Sequence, residues 1–231
     1  MTPETLATIN TERAARRPVI IVTDLANGAQ RLVKAAEIAA DPLAEALNKQ
    51  LRMGKSGTIE QDGKKLFLNV QAPVARLVMI GAVHISQALA PLARSLDYDV
   101  TVIDPRTAFA SPERFPGIAL IPEWPDEALP PLNIDRYTAF VALTHDPKID
   151  DPALLHAFER DCFYIGALGS RKTHGRRVER FRAQGISEET LARIHAPIGL
   201  NIGAVSPAEI AVSIMAEITA VLRLPKDHSQ G

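Results

Sequence analysis

Four short segments carry residues whose types and spacing could do chemistry. The first, GAVHIS (81–86), stands where an apolar run gives way to a helical pattern and brings His84 to the head of that helix. A Rossmann fold turns backbone N–H groups toward a pyrophosphate at such a junction. Against the fingerprint G-x-G-x-x-G, Gly81 keeps the first position, while Val83 and Ser86 occupy the second and third. A valine side chain where phosphate should approach argues against a dinucleotide in the standard pose, and a plain strand-to-helix turn fits the segment as well. Asp104 follows Gly81 by 23 residues, near the spacing at which an acidic side chain meets a ribose 2′-OH. Arg106, two residues on, has a planar fork suited to a phosphate or a flat heterocycle. Asp-Pro-Arg is also ordinary turn chemistry.

In the third segment, LTHDPKIDDP (143–152), Thr144, His145 and Asp146 fall at the carboxyl end of an expected strand, the edge where open α/β sheets bind ligands. His145 could act as acid, base or ligand with Asp146 to tune it, although neighbours on a strand point to opposite faces. The alternative is a helix-entry loop capped by Asp150 or Asp151. The fourth segment, GALGSRKTHGRR (166–177), offers close approach at Gly166 and Gly169, a hydroxyl at Ser170, and cations at Arg171 and Lys172. Cations in a first helical turn oppose the helix dipole, so an anion held by Ser170 and Arg171 would explain them, as would a solvated basic face. Cys162 begins its expected strand at the end away from the ligand edge and reads as a core thiol; alone, it makes no internal disulfide and no structural zinc site. His84, His156, His174 and His195 show no paired metal-ligand spacing, so neither a metal site nor a catalytic residue is assigned.

Positioning these residues requires strands over 76–82, 99–106, 118–123, 138–146 and 162–170, with helices over 84–96, 151–160, 171–184, 187–194 and 207–222. Apolar runs alternating with helical stretches predict an α/β fold, a Rossmann-like parallel sheet with helices on both faces. Ser206, Pro207 and Glu209 form a capping box for the last helix. Ahead of this region, 18–25 reads as a strand, Asn27-Gly28 as a turn and 30–35 as its hairpin partner. A helix over 41–54 with Asp41 as N-cap and two strands around Asp62-Gly63 complete a small α+β unit. The chain therefore divides into domains 1–72 and 73–231.

Of 231 residues, 26 are basic and 27 acidic, giving a formal net charge of -1 that gathers neither nucleic acid nor an anionic membrane. No apolar run is long enough to span a bilayer and the first residues lack a signal-peptide pattern, so a cytoplasmic protein is expected.

Taken in order, GAVHIS, DPRTAFASPERFPG, LTHDPKIDDP, YIGALGSRKTH and RIHAPIGLNIGAVSPAEIAVSIMAEI resemble the XdhC/CoxI family over about residues 74–222. The resemblance implies a C-terminal Rossmann domain behind a smaller N-terminal one. It also implies an accessory factor for molybdenum hydroxylases such as xanthine dehydrogenase and CO dehydrogenase. Such a factor binds molybdenum cofactor, assists its sulfuration and delivers it to the apoenzyme, a chaperone's work rather than a catalyst's. The implied cradle starts with Gly81, His84, Asp104 and Arg106. Thr144, His145 and Asp146 line its middle, while Gly169, Ser170 and Arg171 hold a phosphate. The implied partners are the molybdenum hydroxylase apoenzyme and a cysteine desulfurase; separately, the apolar segment IAVSIMAEITAVLRL could face either a core or a second copy in a homodimer. Many relatives read GAGH where this chain has GAVH, which bears against NAD(P), and a GGC-containing segment of many relatives is missing from the N-terminal unit. The competing readings are an NAD(P)-binding oxidoreductase and a degenerate Rossmann module that only docks on other proteins.

Overall fold

The computed structural model describes residues 2–225, so Met1 and the 226–231 end of the expected second domain lie outside the described residues. The chain separates into two compact units, 1–73 and 74–231.

In the first unit α1 (Pro3–Ala14) precedes the strands β1 (Val19–Asp24) and β2 (Gln30–Lys34). A 3-10 turn (Ala35–Ala40), α2 (Ala44–Met53), β3 (Gly57–Gln61) and β4 (Lys64–Gln71) follow. The strands pair antiparallel in the order β2-β1-β4-β3. Alternate residues of β1 serve opposite faces. Ile20 and Val22 pack with Val33, Leu47 and Leu68, whereas Val19 and Ile21 meet Ile9 of α1. Asp62 and Gly63 both take positive φ, 52° and 71°, as a two-residue hairpin turn demands. The expected Asp41 cap is corrected. Asp41 accepts from the Leu43 N–H and binds Arg31, closing a turn ahead of the helix, so Leu43 takes the N-cap position.

The second unit contains β5 (Arg76–Ile80), α3 (His84–Ser95), β6 (Asp99–Ile103), β7 (Ala119–Ile121), α4 (Pro125–Leu132) and β8 (Thr138–Ala142). It continues with α5 (Pro147–Phe158), β9 (Tyr164–Ala167), α6 (Arg171–Ala183), α7 (Glu188–Leu191), β10 (Ile194–His195) and α8 (Pro207–Arg223). All neighbours pair parallel in the order β10-β9-β8-β5-β6-β7. Counted from β5, this is the doubly wound order 3-2-1-4-5-6, with the direction of winding reversing between β5 and β8. Both faces of the sheet are covered, which is why its strands are continuous apolar runs. Leu77 and Met79 pack toward Leu89 of α3 and Ile214 of α8. Val78 and Ile80 pack toward Leu129 of α4, Leu154 of α5 and Phe181 of α6.

Several boundaries differ from expectation, each for a local reason. Strand β8 stops at Ala142, and α5 starts at Pro147 with the Asp146 carboxylate accepting the Lys148 N–H, so Asp146 is the cap and Asp150 and Asp151 lie inside the helix. The expected 187–194 helix stops at Leu191, residues 192 and 193 turn, and Ile194 joins β10 instead. Helix α4 has no counterpart among the expected helices, and it accommodates three prolines. Pro125 stands at the start, where no N–H is needed, and Pro130 and Pro131 stand near the end.

Candidate functional site at the carboxyl edge of the sheet

The strands β5, β6, β8 and β9 end level with one another, so the segments that follow them emerge on one edge. Gly81 donates to the Ile103 carbonyl at 2.8 Å, Leu143 to Ile80 at 2.9 Å and Leu168 to Ala142 at 2.8 Å. Gly81 has φ +110°, and a Cβ there would stand 2.7 Å from Thr144 Cγ2. Glycine is required here by both backbone conformation and the closeness of the β8 exit. The Ser86 hydroxyl donates back to the Gly81 carbonyl, and α3 begins at exposed His84 with no side-chain cap on its first N–H groups.

Asp104 sits just past β6 and is fully buried. Its Oδ2 accepts from the Ala82 N–H at 2.7 Å and from Arg106 Nη2 at 2.7 Å, while Oδ1 accepts from the Arg106 N–H and Nε, both at 2.9 Å. Four donors fill the carboxylate's acceptor positions. Burial alone would raise its pKa, but the bonds from Arg106 and Ala82 outweigh it and hold Asp104 below the usual carboxylate range. The expected ribose acceptor is therefore corrected. Asp104 braces Arg106 and ties the turn after β5 to the end of β6. The Asp104 hydrogen bond raises the Arg106 pKa against burial, with further support from the charges of Asp104, Asp146 and Asp150. Arg106 remains 33% exposed, with its guanidinium 4.5 Å from the Phe109 ring centroid.

Thr144 also turns inward. Its hydroxyl donates to Asp150 at 2.7 Å and accepts from the Asp146 N–H at 3.0 Å. The His145 N–H donates to Asp150 at 3.1 Å, and His145, at φ +66°, is exposed. A non-glycine residue in that region is held there by its surroundings, here by the Asp150 carboxylate beneath it. Burial pushes Asp150 above the ordinary carboxylate range, more strongly than Thr144 and the distant Arg177 pull it down.

At the β9 exit, Gly169 has φ +137°, and a Cβ would come within 3.0 Å of Thr173 Cγ2. Ser170 spends its hydroxyl on the Thr173 N–H as the helix cap, and Arg171 is exposed. The ten expected site residues thus share one edge but divide by role. His84, Arg106, His145, Ser170 and Arg171 reach solvent, while Gly81 and Gly169 shape turns and Asp104, Thr144 and Asp146 hold backbone. Sequence reasoning missed Arg114, which donates to the Ala82 carbonyl at 2.9 Å, the Phe109 carbonyl at 2.7 Å and Gln87 Oε1 at 2.8 Å, pinning the loop after β6 to α3. Nothing in the local pattern around Arg114 signals these long-range bonds.

Away from this edge, Glu217 of α8 accepts from the Tyr164 hydroxyl and, at 2.8 Å, from the Gly199 N–H, and lies 3.1 Å from His195 Nδ1. Burial would raise Glu217, but His195, Tyr164 and Gly199 together hold it low. Burial pushes the Cys162 thiol up to about 12, which leaves it unreactive as a nucleophile.

Residues 77–218 match the family described as the XdhC Rossmann domain. The chain belongs to the XdhC family. Beyond that match, this XdhC chain is 37% identical over 158 residues to YqeB of Escherichia coli K12, which covers 68% of this chain and 29% of YqeB. Over 149 residues it is 33% identical to the molybdenum cofactor insertion chaperone PaoD of the same strain, covering 64% of this chain and 41% of PaoD. A Bacillus subtilis 168 protein described as a probable xanthine dehydrogenase subunit is 32% identical over 154 residues, 66% of this chain and 44% of that protein. The chain therefore spans less than half the length of these relatives. The fold is shared with a crystal structure of a xanthine dehydrogenase from Bacillus halodurans at TM-score 0.67 and 22% identity, covering 98% of this chain and 66% of that one. No helix of the described residues is long and apolar enough to cross a membrane, and among those residues no cluster of three or more His, Cys, Asp or Glu side chains could hold a metal ion.

Proposed function

We propose that this XdhC chain serves the maturation of molybdenum hydroxylases of the xanthine dehydrogenase type, holding the molybdenum cofactor at the carboxyl edge and handing it to the apoenzyme. One observation carries this reading: at the switch point between β5 and β8, the point where doubly wound sheets bind ligands, the structure presents a braced, partly exposed arginine beside an uncapped helix start. A family member named as a cofactor insertion chaperone gives that geometry its meaning.

The residues present fit a phosphorylated heterocycle. Arg106 is fixed by Asp104 and Phe109, so its planar fork is ordered before any guest arrives. The free N–H groups at the start of α3, beside Gly81 and His84, suit negative charge. His145 is exposed at the β8 exit above its Thr144–Asp146 support, and Gly169, Ser170 and Arg171 follow β9 on the same edge. When bound, the cofactor would supply redox chemistry to the client enzyme, and this chain's part is to hold and orient it. Sulfuration with a cysteine desulfurase as donor, insertion into the apoenzyme, pairing with a second copy and a cytoplasmic setting belong to the same reading.

The docking-module reading is favoured by one observation, the Val83 side chain at the second fingerprint position, partly buried against the core. The same valine weighs against an NAD(P)-dependent oxidoreductase. Oxidative fluorescence analysis of protein purified from a cofactor-competent host, beside a nicotinamide fluorescence titration, separates the three. Bound pterin that is lost on Arg106→Ala supports the proposal. Nicotinamide binding without pterin replaces it with an oxidoreductase, and neither ligand leaves the docking module.

A further inference from the structure

The basic start of α6 reads in the sequence as an anion site at Ser170 and Arg171 or as a solvated face, and further along the helix Arg177 is only 2% exposed. Of its guanidinium nitrogens, Nη2 donates to the Leu168 carbonyl at 3.1 Å, while Nε and Nη1 have no partner. The carboxylate facing it, Asp150, is 3.9 Å from Nη2, beyond hydrogen-bond distance. Asp150 cannot move closer without giving up the Thr144 hydroxyl and the Thr144 and His145 N–H groups that it accepts. Buried N–H groups on a guanidinium are rarely left without an acceptor.

Arg177 lines a cavity of about 180 Å³ between the start of α5 and α6. Its α5 side is formed by His145, Pro147, Asp150 and Asp151, and its α6 side by Thr173, Arg176, Arg177 and Arg180. Three guanidinium groups against two carboxylates leave an excess positive charge. Asp151 is already neutralised by Arg180, through bonds of 2.6 and 2.9 Å. Asp150 is satisfied by Thr144 and His145, so the unmatched cations are Arg177 and the exposed Arg176. One water needs only about 10–15 Å³ of such space, so the cavity is far larger than a bridging solvent molecule requires. It is also smaller than the roughly 300 Å³ at which ligand pockets begin, so the guest is a small ion or the end of a larger molecule.

We infer that the α5–α6 cavity is a site for a phosphate-class tetrahedral oxyanion, drawn by the unpaired charge of Arg177 just behind its wall, with Arg176 at its rim and Thr173 offering a hydroxyl. This site adjoins the proposed cofactor edge, sharing His145 and bonding to Ser170 through Thr173, and it stands whether or not a pterin binds at the switch point. A free phosphate ion and the terminal phosphate of a larger ligand share the chemistry.

The test is isothermal titration with inorganic phosphate and with phenyl phosphate at constant ionic strength, with chloride as reference and the ¹⁵N-labelled arginine Nε–H signals followed by NMR. Saturable phosphate binding that shifts the Arg177 Nε–H signal is expected. Arg177→Met weakens it about tenfold or more and Arg176→Ala about threefold. If Arg177→Met fails to fold, the NMR shift in the native chain and the Arg176→Ala affinity decide. Tighter binding of phenyl phosphate identifies the end of a larger ligand, and equal binding identifies the free ion. A response no greater than that to chloride, or phosphate affinity unchanged in both variants, overturns the inference. Phosphate binding in a chain that retains no pterin would remove the cofactor reading and leave this site standing.

Discussion

Two carboxylate–guanidinium pairs, each with its carboxylate buried, lie in the same unit and end in opposite states. Asp104 and Arg106 bond at 2.7 and 2.9 Å, and the pair shifts each pKa toward its charged form. Asp150 and Arg177 stand 3.9 Å apart, and burial moves each toward its neutral form. Burial pushes the same way in both places, so contact geometry decides the outcome. The first pair is two residues apart on one turn, where the Arg106 N–H and side chain close on the same carboxylate. The second must be assembled from two helices, and Thr144 and His145 already occupy its carboxylate. The first is therefore a finished strut, whereas the second keeps a cation in reserve.

The strongest way to break this contrast is Asp104→Ala, which strands Arg106 and the Ala82 N–H. A loss of about 3–5 kcal/mol in urea denaturation is expected, and a loss below about 1 kcal/mol would mean that Asp104 is no strut. Next, Gly81→Ala forces a Cβ toward Thr144 at positive φ and should cost about 1–3 kcal/mol in the same measurement. Arg177→Met, in phosphate-free buffer, should cost no more than about 1 kcal/mol, because it removes two unsatisfied donors along with a charge. A loss as large as that of Asp104→Ala would make the two pairs equivalent.

The smallest effect sharpens the contrast through pH. Asp104 is depressed in the fold, so its stabilisation is present above the unfolded carboxylate value of about 3.9 and disappears as pH falls through the folded value. Asp150 is raised, so its contribution is complete below that unfolded value and is lost as pH rises through the folded one. Melting temperatures recorded from about pH 3 to 7 should show Asp104→Asn approaching the native chain on acidification. Asp150→Asn should gain on the native chain as pH rises. Parallel curves for both variants would show that the two carboxyls titrate alike.

Much of this was legible in the sequence where neighbours along the chain decide. Leu77 to Ile80 and Ala139 to Ala142 read as strands because a sheet covered on both faces leaves no polar position to mask them. Asp146 could have been chosen over Asp150 and Asp151 as the cap, since Pro147 beside it favours the first helical position. The inward turn of Asp104 was not legible, because its Ala82 donor is supplied by a strand pairing over twenty positions away. Arg177 was hidden too. Thr173, Arg176, Arg177 and Arg180 follow helical spacing and so share a stripe, but only the packing of α5 converts that stripe from a wet face into a cavity wall.

The brevity of β10 has a consequence at the far side of the sheet. Two residues cannot hold a strand in register by ladder bonds alone, so Ile194 and His195 depend on Glu217, which ties His195, Tyr164 and the Gly199 amide to the final helix. Cutting the chain ahead of Glu217 would peel that margin away and bare the backbone row of β9, a template on which unrelated copies could stack. Glu217 of α8 thus keeps the short edge strand seated on β9.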